Sequence, residues 1–350
     1  MDKAFSISLL FWLCGASAQE PMHAFYNADS TLTGYRESNG SVVFEPRFAG
    51  SIHPARRVEH IAAVIEETPK GYQKFHITRQ GKTFGRDSIY MQEAMLDCES
   101  EGHIRFRDPR NGLIGLFNRH GKVAVPARYN YLGPVTNGYA QGLIDARVDS
   151  TDIEHPRFEG GRLVLVDTLG QIAIENFSYA GQYDLFSLRK VNMPDTNGNH
   201  QTFRATDGAF ISLIRFEHEF NSWIRGLMPK FSKKRLLRSS HPTLAIWDNG
   251  WKKVNSGKFI SQHFMRLRES LSEFAKNTVE RKLFENLLNP FIFDTPEFDR
   301  YLDNCGEPKQ NFPVFTIAVP RPGGQGGHED HFEFLRTDDG YKLISVALAQ

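Results

Sequence analysis

The chain predicts a β-rich repeat domain of stacked hairpins followed by an α+β domain, the whole preceded by an export signal. Three observations carry that expectation. A glycine-centred hairpin frame recurs in the front half at a period of about 40 residues, the mark of repeated supersecondary units. A Pro/Gly/Asn-rich stretch at 192–199 separates it from a back half with helical periodicity. The N-terminus is apolar, short and closed by small residues.

At that N-terminus, Asp2 and Lys3 precede an apolar run from Ala4 to Gly15 that is too short to span a bilayer. Ala16-Ser17-Ala18 then supplies the small-x-small pattern that signal peptidase accepts, so residues 1–18 read as a signal peptide cleaved after Ala18. The mature chain is therefore expected to be periplasmic or secreted. Leu13 before Cys14 lacks the small residue of a lipoprotein site, and no later stretch is apolar enough for a transmembrane segment.

A chain of 350 residues, at about 150 per domain, allows two domains beyond the signal. They are read at 25–195 and 205–350. Lys plus Arg number 42 against 41 Asp plus Glu, a near-neutral balance that gives no support to a nucleic-acid partner. The two cysteines of the mature chain, Cys98 and Cys305, can pair in an oxidising compartment. Two separately buried thiols satisfy the sequence equally.

The repeat is clearest at Gly115-Leu-Phe-Asn-Arg-His-Gly121-Lys-Val-Ala-Val-Pro126-Ala-Arg-Tyr129, where Gly121 suits a tight turn and Val123 and Val125 alternate along the strand after it. Pro126, with no N–H to donate, is expected to end that ladder. Gly34 to Phe48 repeats the frame, with Gly34 six residues before Gly40, Pro46 after it and an aromatic eight residues on. Weaker copies surround Gly81 and Gly170, so the turn glycines are spaced by 41, 40 and 49. These residues resemble the WG (tryptophan-glycine) β-repeat family over about 30–190. The resemblance implies stacked β-hairpins and a binding role, with no common chemistry to carry over. No copy has the Trp-Gly pair, and Val164 stands where the unit around Gly170 should have its first glycine.

Beyond the linker, Phe210, Leu213, Ile214, Phe220, Trp223, Ile224 and Leu227 recur at three- and four-residue steps and predict a helix over 209–228, stopped by Pro229. Phe264, Leu267, Leu271, Phe274, Leu283 and Leu287 predict a second over 261–288, ended by Pro290. Strands follow at 314–319, 331–335 and 341–347, the last two joined at Asp339-Gly340. Helices before a closing β-meander resemble, in topology alone, the NTF2-like (nuclear transport factor 2) fold, a curved sheet around a pocket.

Several groups invite a chemical reading. His328 and His331 flank Glu329 and Asp330 beside Gly323-Gly-Gln-Gly-Gly327, yet strand positions three apart face opposite ways and the glycine loop leads into a strand rather than a helix. Glu217-His218-Glu219 lacks the second histidine of a zincin and reads as solvent-facing charge. Lys230, Lys233, Lys234, Arg235 and Arg238 read as the wet side of a short helix, with an anionic partner as the other reading. No nucleophile elbow is present. No catalytic, cofactor-binding or metal residue is assigned, and no cofactor is expected.

The function read from these features is non-catalytic binding, a β-repeat surface presented to a protein or a cell-envelope polymer. The alternative is an enzyme or small-ligand binder with a pocket in the C-terminal domain, for which Tyr301, Asp299, His263 and His331 are the acid-base groups to place. Exported protein should begin at Gln19. Intact-mass measurement checks this, and a mass retaining residues 1–18 would refute the cleavage.

Overall fold

The computed structural model describes residues 20–50, 54–92, 95–149, 157–177, 183–276, 282–320 and 329–349; residues 1–18, expected to be a signal peptide, lie outside them. Strands hold 51% of the described residues and helices 16%, which places the protein in the β-rich class. No helix among the described residues is long and apolar enough to cross a membrane.

The front half is made of antiparallel meanders joined end to end. A seven-stranded sheet takes two of them, Met22–Tyr26, Leu32–Arg36 and Val42–Ala49, then Ile61–Thr68, Gly71–Thr78 and Thr83–Phe84, with Arg57–Val58 at its edge. A third comprises His103–Arg107, Ile114–Asn118 and Val123–Tyr129. The fourth comprises Tyr139–Asp149, Arg157–Asp167 and Ile172–Ile174, with Tyr131–Leu132 beside it.

The turn in each meander is built the same way. At Gly40, Gly81, Gly121 and Gly170 the glycine N–H donates to the carbonyl three residues back, and that residue's own N–H bonds the carbonyl just past the glycine. This is a type I turn closed by a left-handed residue, and φ at these glycines runs from +71° to +90°. Side chains cap the exposed amides: Asn118 Oδ1 accepts from His120 and Lys122, and Asp167 Oδ1 from Leu169 and Gln171.

The first glycine of the frame has a different cause. Thr33 faces Phe48 and Tyr35 faces Phe44, so two residues on one strand span four on the other; Ile114–Tyr129 and Leu116–Val125 repeat that register. The surplus residues form a bulge, and a Cβ on Gly34 or Gly115 would lie 2.5 Å from the Phe44 or Val125 carbonyl oxygen. Pro126 therefore does not end the ladder. It sits in the bulge, where a missing N–H costs no pairing, and the strand runs on to the fully buried Tyr129.

Successive turns touch. A Cβ on Gly121 would meet the Phe84 ring at 2.7 Å, Gly170 lies against Val125 and Pro126, and Gly81 against Phe44. Phe84 in turn meets Phe117 edge-on at 5.1 Å.

Two helix expectations change. Residues Phe210–Arg215 are a strand, pairing with Tyr183–Val191 on one side and His200–Arg204 on the other, and their alternation buries Ile211 and Leu213. Helix α1 is only Phe216–Leu227. The turn before that strand, at Ala205 to Ala209 around Gly208, has the same two hydrogen bonds as the other four. The boundary read at 192–199 therefore falls inside a sheet, and the helical part starts at Phe216. After the short α2, Lys233–Arg238, helix α3 runs Ser256–Lys276, and Lys282–Asn286 is an edge strand rather than the continuation of a helix to 288.

The expected closing strands are present, as Val314–Pro320, Glu329–Thr337 and Gly340–Ala347. They join Lys282–Asn286, Ser240–Trp247 and Trp251–Asn255 in a six-stranded sheet that is antiparallel except where Ser240–Trp247 runs parallel to Gly340–Ala347. Phe315, Ile317, Phe332 and Phe334 pack on α1 and α3, while Val314, Leu335 and Ile344 on the other face pack under Phe293, Phe298 and Tyr301. Both faces are thereby covered.

His76 exposes a cost of this packing. It is fully buried, stacked at 5.3 Å on Phe84, and neither ring nitrogen has a hydrogen-bond partner among the described residues. Burial lowers its pKa from 6.5 to about 4. Between those values the unfolded chain holds the extra proton, so stability present above pH 6.5 should fall by about 3 kcal/mol as pH drops towards 4. His76→Phe should flatten that acid limb in urea titrations at pH 4.5 and 7; an unchanged pH dependence would show another group controls it. Gly115→Ala should cost about 1–3 kcal/mol by overpacking, read from the same denaturation midpoints.

Candidate binding cleft

Cys98 and Cys305 are bonded, joining the front half to the C-terminal part across 207 residues of chain. The bond lines a cleft of about 380 Å³, a volume in the range of small-ligand sites. One wall comes from the hairpin Met91–Gln92 and Met95–Leu96, the segment 97–100, and the strands carrying Arg105, Tyr131 and Gln141. The segment 303–311 forms the other wall, with Phe177, Leu185, Phe186 and Leu287 at an apolar end.

A buried ion pair makes part of the floor. Asp97 accepts from Arg105 at Nη2 (2.5 Å), Nε (3.0 Å) and the backbone N–H (2.8 Å), while Arg105 Nη1 donates to the Leu132 carbonyl. The guanidinium lies 4.5 Å from the Tyr90 ring centre. Its charge is thus neutralised, and what faces the cleft is planar and polar without a net sign.

Two carboxylates elsewhere in the lining, the buried Glu99 and the half-buried Asp303, are committed too, while Glu307 is exposed. Glu99 accepts from the backbone N–H groups of His60 and Ile61 and from His60 Nδ1 at 2.6 Å. With Glu59 these groups bring three metal-capable atoms within 4.8 Å, but an ion there would have to displace the His60–Glu99 hydrogen bond. Asp303 turns its Oδ1 onto the N–H groups of Cys305 and Glu307, and burial raises its pKa. Lys309 donates to the Arg300 carbonyl, and burial, then the Arg57 charge, lowers its pKa. None of these residues is a nucleophile poised beside a base.

Several contacts hold the second wall in place. Arg57 donates to the carbonyls of Leu302 and Asp303, and Asn304 Nδ2 to the Glu99 carbonyl. At the far end Arg336 donates to the Asn311 carbonyl and ion-pairs with Glu219 of α1 and Asp184 of the front half.

Residues 114–141 match the WG containing repeat. No curated protein and no solved structure matches the chain. The WG-matched unit spans the third meander's turn and bulge and then supplies Tyr131, Pro134, Thr136 and Gln141 to the cleft.

The groups singled out in the sequence lie elsewhere. Tyr301 is buried on one face of the C-terminal sheet, 5.1 Å from the Phe312 ring, and Asp299 is exposed beside it. His263 is on α3, which packs on the opposite face, against Phe259. His331 is half-exposed, 3.7 Å from Glu329. The four do not converge. Asp330 points the other way and is spent on Arg266, Ser270 and the Ala349 N–H. His328 and the loop Gly323 to Gly327 lie outside the described residues.

Glu217 and His218 face solvent as expected, but Glu219 does not; it accepts from Arg336 and from the Tyr341 hydroxyl. In the basic run Leu236 is buried and Lys230, Lys233, Lys234 and Arg238 are exposed, the arrangement of a helix with one wet side. Sequence reading missed Asp97, Arg105, Tyr90 and Tyr131, since nothing in their spacing sets them apart; only the cysteine pair pointed to this place.

Arg105→Met should cost about 3–5 kcal/mol, because Asp97 is left buried and unpaired, whereas Asp97→Asn with Arg105→Met should recover much of the loss. Urea denaturation of the three chains reads this, and equal destabilisation by single and double variants would refute the coupling.

Proposed function

We propose that this is an exported, non-catalytic binding protein, and that the cleft beside Cys98–Cys305 holds a segment of an uncharged cell-envelope glycan. The observation that carries the reading is the cleft floor: Tyr90 and Tyr131 beside a guanidinium whose charge Asp97 cancels. Sugar rings present C–H faces that pack on aromatic surfaces, and their hydroxyls suit planar amides. Gln92, Gln141 and Gln310 supply such amides to the cleft lining. An anionic or cationic ligand would find no uncompensated partner on this floor.

Export has two supports, the small-x-small end of the N-terminal apolar run and a disulfide, which persists in oxidising compartments. The repeat reading extends beyond the matched unit because five turns share one hydrogen-bond pattern. In that reading the units stack through their turns and offer the cleft from the third and fourth. The catalytic alternative loses support from the dispersal of Tyr301, Asp299, His263 and His331, and an NTF2-like cone from the covered faces of the C-terminal sheet.

Isothermal titration of the oxidised full chain with soluble, uncharged oligosaccharides of envelope type tests the ligand class. Binding should be detected and should weaken at least about tenfold in Tyr131→Ala, about 1.4 kcal/mol of lost stacking and hydrogen bonding, with the fold intact by circular dichroism. Absence of binding across the panel, or binding unaffected by that change, would overturn the reading.

A further inference from the structure

The cleft's second wall is attached to the first unevenly. Arg57 and Asn304 hydrogen-bond across at 302–304. From Gly306 to Gln310 every hydrogen bond found among the described residues stays within the C-terminal part: Gly306 and Glu307 to Asp303, and Lys309 to Tyr301 and Arg300. At Asn311 the wall is held by Arg336, which belongs to the C-terminal sheet. Beyond the packing of the Arg56 side chain over Gly306, the stretch that closes the cleft is therefore tied to the repeat half by one covalent link at its root, Cys305 to Cys98.

The two sulfurs differ in environment. Cys98 packs in the core of the first sheet and is 9% exposed, while Cys305 lies at its margin and is more accessible. Both line the cleft.

We propose that the Cys98–Cys305 bond is a redox latch on the cleft. It rests on the reading of the cleft as a ligand site. Oxidised, it holds Gly306–Gln310 as the wall; reduced, it lets that wall swing away and the ligand leave. The reductant is a dithiol. One of its thiolates attacks the accessible Cys305 sulfur, forming a mixed disulfide and expelling Cys98 as a thiolate that takes up a proton. Its second thiolate attacks the dithiol sulfur in the mixed disulfide, expelling Cys305 as a thiolate that takes up a second proton and leaving the reductant as a cyclic disulfide. Two electrons pass to the protein.

Hydrogen–deuterium exchange of the full chain, oxidised or reduced with dithiothreitol, tests the latch, with reduction verified by the mass of the alkylated thiols. The amides of Gly306, Glu307 and Lys309 should exchange at least about tenfold faster after reduction, as the released wall frays its bonds to Asp303 and Tyr301, while those in Ile61–Thr68 and Val314–Pro320 keep their protection, the signature of local opening. Unchanged exchange at 306–310 in a verified reduced chain overturns the latch. So does loss of protection throughout the molecule, which would make the bond a global staple.

The exchange result needs no ligand, so it stands apart from the fate of the glycan reading. If the oxidised chain binds glycan and the reduced chain binds it equally, the latch fails and the glycan reading survives. If neither form binds while 306–310 is released, the glycan reading fails and the latch motion holds. Cys98→Ser with Cys305→Ser should reproduce the reduced pattern without reductant.

Discussion

The front half depends on one turn. A glycine in the left-handed region lets the chain reverse within three residues while both of its backbone hydrogen bonds are made, and this occurs at Gly40, Gly81, Gly121, Gly170 and Gly208. A side chain at Gly121 would collide with Phe84 as well as strain the backbone, so the same residue that permits the reversal also permits the contact with the preceding unit. Turn geometry and packing between units are in this way a single constraint. The bulge opposite Gly34 and Gly115 is its counterpart at the other end of each hairpin, and it aims Phe48 and Tyr129 into the core.

The C-terminal sheet is stabilised differently, by apolar cover on both faces. Phe220 stacks at 4.6 Å on Phe315 beneath α1, and Phe293 and Phe298 close the opposite side. Arg336 joins the two regimes, reaching Asp184 of the front half, Glu219 of α1 and the Asn311 carbonyl while lying 4.9 Å from the Phe216 ring centre. Asp184 is itself buried, which raises its pKa against the pull of that guanidinium. Breaking this seam would leave two carboxylates without their counter-charge. It is a further fastening between the halves, beyond the disulfide and the Arg57 and Asn304 hydrogen bonds.

Seams of this kind suit a binding site. The cleft lies where the front half meets the segment 303–311, so its lining mixes core rings such as Tyr90 and Phe177 with half-buried or exposed groups such as Tyr131 and Gln310. Leu287 and Phe186 remain 41% and 51% exposed at its apolar end, which is surface a ligand could still cover. Asp97, Arg105, Glu99 and Asp303 in its lining are tied to partners or turned into their own loops, which suits holding a ligand better than transforming one.

What was legible in the sequence is local. Turn glycines, a β-branched alternation and an aromatic at a set distance are short-range demands of the backbone, and they named the hairpins and, at residues 114–141, the WG resemblance. The Asp207-Gly208 turn carried the same signal, but the three- and four-residue recurrence of Phe210, Leu213 and Ile214 masked it. That spacing fits a helix and a half-buried strand alike, and only pairing on both sides made it a strand. Leu283 followed the same logic at the sheet edge. The cleft was not legible at all, because Asp97, Arg105 and Tyr131 become neighbours of 303–311 only when the chain closes on itself. Sequence alone determined the turns, and so the type of unit; tertiary structure decided where two bodies meet, because burial and long-range charge pairing depend on the whole chain's path.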